Sequence, residues 1–253
     1  MIATEILQQI AREQQTSLFP NIVREYVQHL FLSELYQLYG SEKLLFKGGT
    51  ALRIVYNSPR FSEDLDFSLF IAPYTDTKEF VENLFVEVLA RIEKNGIKIE
   101  LGKKSAPTSG GYFGIATLYI PDYSPINIEI NISTRSESEL KAEVDSVANG
   151  FVPTYTIYHL SQEELINEKV FGALLERKKP RDYYDLYFMM RHNMLSTEQK
   201  KKLGSNANKI IDNARRVDFQ GELGAFLPAS QQAIIRDFAQ TLEREMRNQL
   251  SLR

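Results

Sequence analysis

The chain has 253 residues, 43% of them hydrophobic and 25% charged, the proportions of a globular protein rather than a disordered or fibrous one. Its 30 Lys+Arg and 33 Asp+Glu leave a net charge of -3, so total charge does not announce a nucleic-acid binder. Cysteine is absent and only His29, His159 and His192 carry imidazoles. That excludes disulfides, thiolate zinc sites and iron–sulfur clusters, and it leaves oxygen ligands, hence magnesium or manganese, for a catalytic metal. No apolar run reaches the ~18–20 residues of a membrane span. The opening MIATEILQQIAREQQ lacks a basic stretch followed by an apolar core, so a cytoplasmic location without a membrane partner is expected.

The predicted elements begin with a short amphipathic helix over Ala3 to Gln15. A longer one opens after Pro20, with Asn21 as its N-cap, apolar spacing at Ile22, Tyr26, Leu30 and Leu38, and Gly40 as its stop. Leu44-Leu45-Phe46 reads as a buried strand running into Gly48-Gly49, and Thr50 to Tyr56 as a short helix. Asp64 to Leu69 alternates as a strand, and Thr77 to Glu93 is an amphipathic helix ended by Asn95-Gly96. Strands are expected at Ile97–Gly102, Tyr112–Ile120 and Ile126–Ile132. Ser161 with Glu164 forms a capping box, and Pro180 suits a first helical turn. Helices then follow at Arg181–Met190, Thr197–Arg215 and Ser230–Leu250. The expected organisation is an α/β lobe over 1–158 and a helical lobe over 159–253 that closes a cleft, a favoured place for a ligand.

The chemistry concentrates in Lys47 to Leu69, KGGTALRIVYNSPRFSEDLDFSL. Gly48-Gly49-Thr50 leads from a strand into a helix. Glycines let backbone N–H groups approach an anion, and Thr50 adds a hydroxyl, which makes a phosphate cradle without a Walker lysine. Asp64 and Asp66 are two apart on a strand, so they share a face at roughly 6.5–7 Å. Carboxylates so placed repel each other unless a cation sits between them, and magnesium accepts one or two carboxylates plus substrate phosphates. Two metal ions on the aspartates with a nucleoside triphosphate on the glycine turn give a nucleotidyl-transfer geometry. A third carboxylate from a neighbouring strand is then needed; Glu129 is the first candidate and Asp122 the reserve.

This window resembles the DNA polymerase β-like nucleotidyltransferase superfamily, whose signature is Gly-Gly or Gly-Ser, a spacer, then Asp-x-Asp. Within it the resemblance is to the AbiEii/AbiGii abortive-infection toxins, the toxin halves of type IV toxin–antitoxin pairs. Arg60 to Phe67, RFSEDLDF, resembles that family's metal strand. Glu168 to Ala173 with Arg177, then Arg181 to Leu186, resemble its second block, and the resemblance anchors residues 44–190.

The resemblance implies an α+β fold, a polymerase β-like core of mixed twisted sheet flanked by helices, followed by the helical lobe. It implies a toxin that modifies RNA, with a tRNA acceptor end as the expected target, and a cognate antitoxin partner. By position it assigns Lys169 to the nucleotide's phosphates. Arg181, Asp182 and Asp185 match its Arg-Asp-x-x-Asp element. One of the two acids either orients Lys169 or Arg177, or caps a helix start, with Asp185 preferred as the functional one. Arg60 and Ser62 flank the metal strand and are expected at the nucleotide. A Glu at 129 departs from the superfamily, where this carboxylate is often Asp.

The basic residues from Lys169 to Lys202, interleaved with Tyr183, Tyr184 and Tyr187, would suit an RNA surface unless those rings belong to the core. Two rival readings are transfer to a small molecule or a protein side chain, and a non-catalytic module that binds nucleotide, RNA or protein.

Overall fold

In the computed structural model of the chain, residues 2–70, 76–102, 105–108, 110–121, 123–134 and 141–250 are described. Two compact units result: Met1–Asn57 with Phe61–Leu160, and Ser58–Arg60 with Ser161–Arg253.

The first unit holds α1 (Thr4–Glu13), α2 (Val23–Leu35), β1 (Leu44–Lys47), α3 (Gly48–Ile54), β2 (Leu65–Leu69) and α4 (Thr77–Lys94). Six strands follow: β3 (Lys98–Leu101), β4 (Ala106–Thr108), β5 (Gly111–Tyr119), β6 (Ile126–Thr134), β7 (Ala142–Val147) and β8 (Tyr155–Leu160). They form one mixed sheet in the order β3-β5-β6-β2-β1-β8-β7, with β4 added to β5. β2 lies antiparallel to β1 and parallel to β6, with Lys47 opposite Asp66 and Asp66 opposite Asn131.

The alternation of β6 explains how the sheet is used. Ile126, Ile128, Ile130 and Ile132 are buried, while Asn127, Glu129, Asn131 and Ser133 occupy the other face. The register joins Leu65 and Phe67 of β2 to the isoleucine face and Asp66 to the polar one. Against the apolar side α4 buries Val81, Leu84, Phe85, Val88 and Ile92, and its Phe85 ring meets Phe31 of α2 and Tyr112 of β5 edge-on at 5.7 and 6.1 Å. Asp76 caps α4 by accepting from the N–H groups of Lys78 and Glu79.

The second unit is helical. It contains α5 (Gln162–Ile166), a π-helical run (Asn167–Leu174), α6 (Leu175–Arg177), α7 (Pro180–Arg191), α8 (Thr197–Gly204), α9 (Ala207–Ala214), α10 (Gln220–Phe226) and α11 (Phe238–Leu250). Ser161 caps α5, and Pro180 stands at the start of α7. The core is aromatic: Tyr184 stacks on Phe238 at 5.9 Å, and Phe219 meets Tyr183 and Phe238 at 5.8 and 4.8 Å. The α7 tyrosines 183 and 184 therefore belong to the core, not to an RNA surface.

The expected α+β class, a mixed sheet with helices and then a helical region, is the one observed. Several boundaries differ. Asn21 is not an N-cap; it lies in a π-helical turn, and its amide donates to the Thr16 hydroxyl at 3.0 Å. α2 ends at Leu35, and Gly40, at φ +90°, opens the short turn Ser41–Lys43. The helix expected over Thr197–Arg215 breaks after Gly204, a residue with weak helical preference. The one expected over Ser230–Leu250 begins as a 3₁₀ stretch, Ala229–Ile234, before α11. β4, β7, β8 and α10 have no counterpart among the predicted elements. Among the described residues no helix is long and apolar enough to cross a membrane.

Candidate active site

Within the first unit the glycine turn and the acidic strand meet. Gly48 has φ +83°, a backbone conformation open to glycine, and a Cβ there would stand 2.1 Å from Oδ2 of Asp66. The other oxygen of Asp66, Oδ1, accepts from the Asn131 amide at 3.3 Å. The carboxylate is thus held between a side-chain-free turn and an amide on the next strand.

Asp64 stands one residue before β2 rather than inside it. The loop carrying it is anchored three ways. The buried Thr50 hydroxyl donates to the Asp64 carbonyl, Gln28 donates to the carbonyls of Ser62 and Glu63 at 3.1 Å each, and Arg24 pairs with Glu63 at 3.1 Å. Thr50, expected as a donor to phosphate, therefore gives its proton to the loop. Ser62 offers its carbonyl to Gln28.

The β2–β6 ladder starts at Leu65 opposite Ile130. One step before that pair stand Asp64 and Glu129, so the register puts Glu129, exposed on the polar face, level with Asp64. Asp122 lies outside the described residues. Among the described residues no group of three or more His, Asp or Glu side chains could hold a metal together. The pair Asp64 and Asp66 still fits a hard divalent ion, which needs only one or two carboxylates when phosphates and water complete its shell.

Three neighbours of Asp66 were not singled out by sequence. Lys47 sits opposite it on β1 and donates to the Ser133 hydroxyl at 2.8 Å; Asn131 and Ser133 follow Glu129 on the polar face. Reading Asn131 on the same face as Glu129, extending the alternation of β6 by one residue to Ser133, and noting the lysine just before the glycines would have found them.

The second unit contains a buried charge cluster. Asp185 on α7 is 1% exposed and accepts from Arg60 Nε and Nη2 at 2.8 and 3.1 Å and from Lys169 Nζ at 2.9 Å. Burial pushes its carboxyl up, but the two cations outweigh it and hold it below the usual carboxylate range. Arg60, expected at the nucleotide, has its fork on Asp185 and is 2% exposed. Asp182 accepts from Arg177 at 3.0 and 2.8 Å and from the Lys179 N–H, so it is the capping acid of α7. Arg181 pairs with Glu222 at 3.3 Å.

The family model described as nucleotidyl transferase AbiEii toxin, type IV toxin–antitoxin system, matches residues 30–249, and so reaches well past residue 190 where the sequence resemblance stopped. Among solved structures, the chain is similar to a Helicobacter pylori protein described as a nucleotidyltransferase, with TM-score 0.58, 20% identity, and 91% of this chain and 97% of that one covered. It is also similar to JHP933 from the same organism, with TM-score 0.59, 20% identity, and 92% and 96% covered. At that identity the likeness is one of fold. No curated protein matches the chain. Enzymes of this kind generally use divalent metal ions and a nucleoside triphosphate, and a type IV toxin implies an antitoxin partner. By the match over residues 30–249, this chain belongs to the AbiEii family of nucleotidyltransferase toxins.

Proposed function

We propose that the protein transfers a nucleoside monophosphate from a nucleoside triphosphate to the end of an RNA, with a tRNA acceptor end as the foremost candidate. The reaction is proposed to use two magnesium or manganese ions and to take place in the cytoplasm. The observation that carries this reading is the meeting of Gly48 and Asp66, with one carboxylate oxygen over a turn that has no side chain and Asp64 two residues earlier.

When bound, the ions would be held by Asp64 and Asp66 and would stabilise the attacking and leaving oxygens of an in-line displacement. The chain supplies the positioning. Backbone N–H groups at Gly48 and Gly49 donate to phosphate oxygens, and the missing Cβ of Gly48 leaves room for the Asp66 carboxylate beside them. Thr50 fixes the Asp64 loop through its carbonyl. Glu129 accepts the proton of the attacking hydroxyl as that oxygen bonds to the α-phosphorus and pyrophosphate leaves. Asp185 holds the ammonium of Lys169, the residue that the family resemblance assigns to the nucleotide's phosphates. Arg60, Arg181 and Asp182 act through their protein partners rather than on the nucleotide.

The test supplies each of four α-labelled nucleoside triphosphates to total RNA with magnesium, using wild type and an Asp64→Ala/Asp66→Ala double mutant. Label on RNA with wild type alone is expected. Nucleotide transfer to other acceptors with release of pyrophosphate, or nucleotide binding without release, would replace this reading with small-molecule or protein modification, or with a binding module.

A further inference from the structure

A cavity of about 430 Å³ opens beside Asp66, within the size range of small-ligand sites. Lys47, Tyr112, Phe113, Asn131 and Ser133 line it together with Asp66. Asp66 divides it from the glycine turn: Oδ2 faces Gly48, whereas Oδ1 accepts from Asn131, a wall of the cavity. If the triphosphate occupies the glycine turn, as proposed above, this cavity is the space left for the second reactant.

Its lining describes that reactant. Lys47 brings an ammonium, held over β2 by its bond to Ser133. Asn131 and Ser133 bring an amide and a hydroxyl, and Phe113, half-buried, brings a ring. A nucleotide has a counterpart for each: a phosphate for the ammonium, base and sugar edges for the amide and hydroxyl, and a base face for the ring. A cationic small molecule would meet the lysine unfavourably, and a protein hydroxyl would leave the ring unmatched.

We propose that this cavity is the acceptor subsite and takes the terminal nucleotide of a single-stranded RNA end, its phosphate on Lys47 and its base on Phe113. The sugar hydroxyl then attacks from the Asp66 side: its oxygen bonds to the α-phosphorus, the bond to pyrophosphate breaks, and the hydroxyl proton passes to Glu129. The inference rests on the nucleotidyl-transfer reading of the Gly48–Asp66 site.

The experiment measures equilibrium dialysis of the four labelled ribonucleoside 5′-monophosphates against the full chain saturated with α,β-methylene nucleoside triphosphates. At least one monophosphate should bind despite the analogues. Lys47→Met and Phe113→Ala should each weaken that binding at least about tenfold and raise KM for RNA similarly, with KM for the triphosphate held within about twofold. Ser133→Ala is the milder variant should either of these fail to give a wild-type circular-dichroism spectrum. Displacement of the monophosphate by the analogues, unchanged binding in the variants, or an equal rise in the triphosphate KM overturns the subsite. Wild type that binds monophosphate yet labels no RNA sinks the transfer reading itself, and label on protein instead of RNA overturns the acceptor class.

Discussion

Gly48 and Asp66 share one small volume: the space a methyl group at residue 48 would fill is taken by Oδ2 of Asp66, 2.1 Å from the Cβ position. The turn into α3 and the acidic strand are thereby locked to each other. Gly48→Ala meets two penalties, a left-handed backbone costing roughly 1–2 kcal/mol and displacement of the carboxylate. Transfer should fall at least about a hundredfold, more than the drop in melting temperature explains when assayed well below it. Full activity in Gly48→Ala would show that the Asp66 position is not what the chemistry uses.

Thr50 tests the anchoring of Asp64. Thr50→Val removes the donor to the Asp64 carbonyl at nearly constant shape, and Thr50→Ser restores it. The valine variant should lose roughly 1–2 kcal/mol of stability and a larger share of kcat, with serine close to wild type. Denaturant melts and steady-state rates on all three proteins separate the outcomes; equal rates for valine and serine would remove the loop from the account.

Asp185 holds two cations in a site almost without water. Asp185→Ala leaves Arg60 and Lys169 without it and should cost about 3–5 kcal/mol. Because its folded carboxyl lies below the usual range, the stability it contributes is complete above the unfolded value of about 3.9 and is lost only as pH falls through the lower folded value. Urea titrations from pH 7 to pH 4 should therefore show a nearly constant gap between wild type and Asp185→Ala.

His29 makes stability depend on pH in a higher range. It is buried, its Nδ1 lies 3.0 Å from the Tyr155 hydroxyl, and its pKa is pushed down to about 3, first by burial and then by the nearby Arg53. Between about 3 and the unfolded value of about 6.5 the unfolded chain binds the extra proton, so stability rises with pH across that window. On lowering the pH from 7 to 5 the histidine should remove roughly 2 kcal/mol. His29→Gln should flatten that slope in urea titrations; an unchanged slope would place the sensitivity elsewhere.

Local chemistry was legible in the sequence and distant pairing was not. Gly48-Gly49 followed by Asp64-x-Asp66 is readable because turns and strand alternation are short-range, and the register then sets Glu129 beside Asp64. Arg60 was read by its nearness to Asp64, but its partner lies 125 residues away on α7, where no spacing rule points to it. β7 carries Glu143 and Asp145 on residues that are exposed from 142 to 146, so it has no apolar alternation to detect. Nothing in 155–160 alone shows that β8 pairs in parallel with β1. Tyr183 and Tyr184 of α7 follow helical spacing that suits either a core or a surface, and Phe219 and Phe238 settle them in the core.

β2 is bonded along both edges, to β1 on one side and β6 on the other. A residue gained or lost within 65–69 would exchange its two faces, sending the carboxylate of Asp66 toward the isoleucines and the Phe67 ring toward the polar side. Upstream, Arg60 is tied to Asp185 and the 62–64 loop to Gln28 and Thr50. Between α3 and these ties lies the stretch 55–59, itself pinned by the buried Ser58 and by the Tyr56 ring, which meets His159 edge-on at 6.1 Å. The distance between the two halves of the signature is therefore set by packing along the whole connector, so a change in its length has to be absorbed by refitting those contacts.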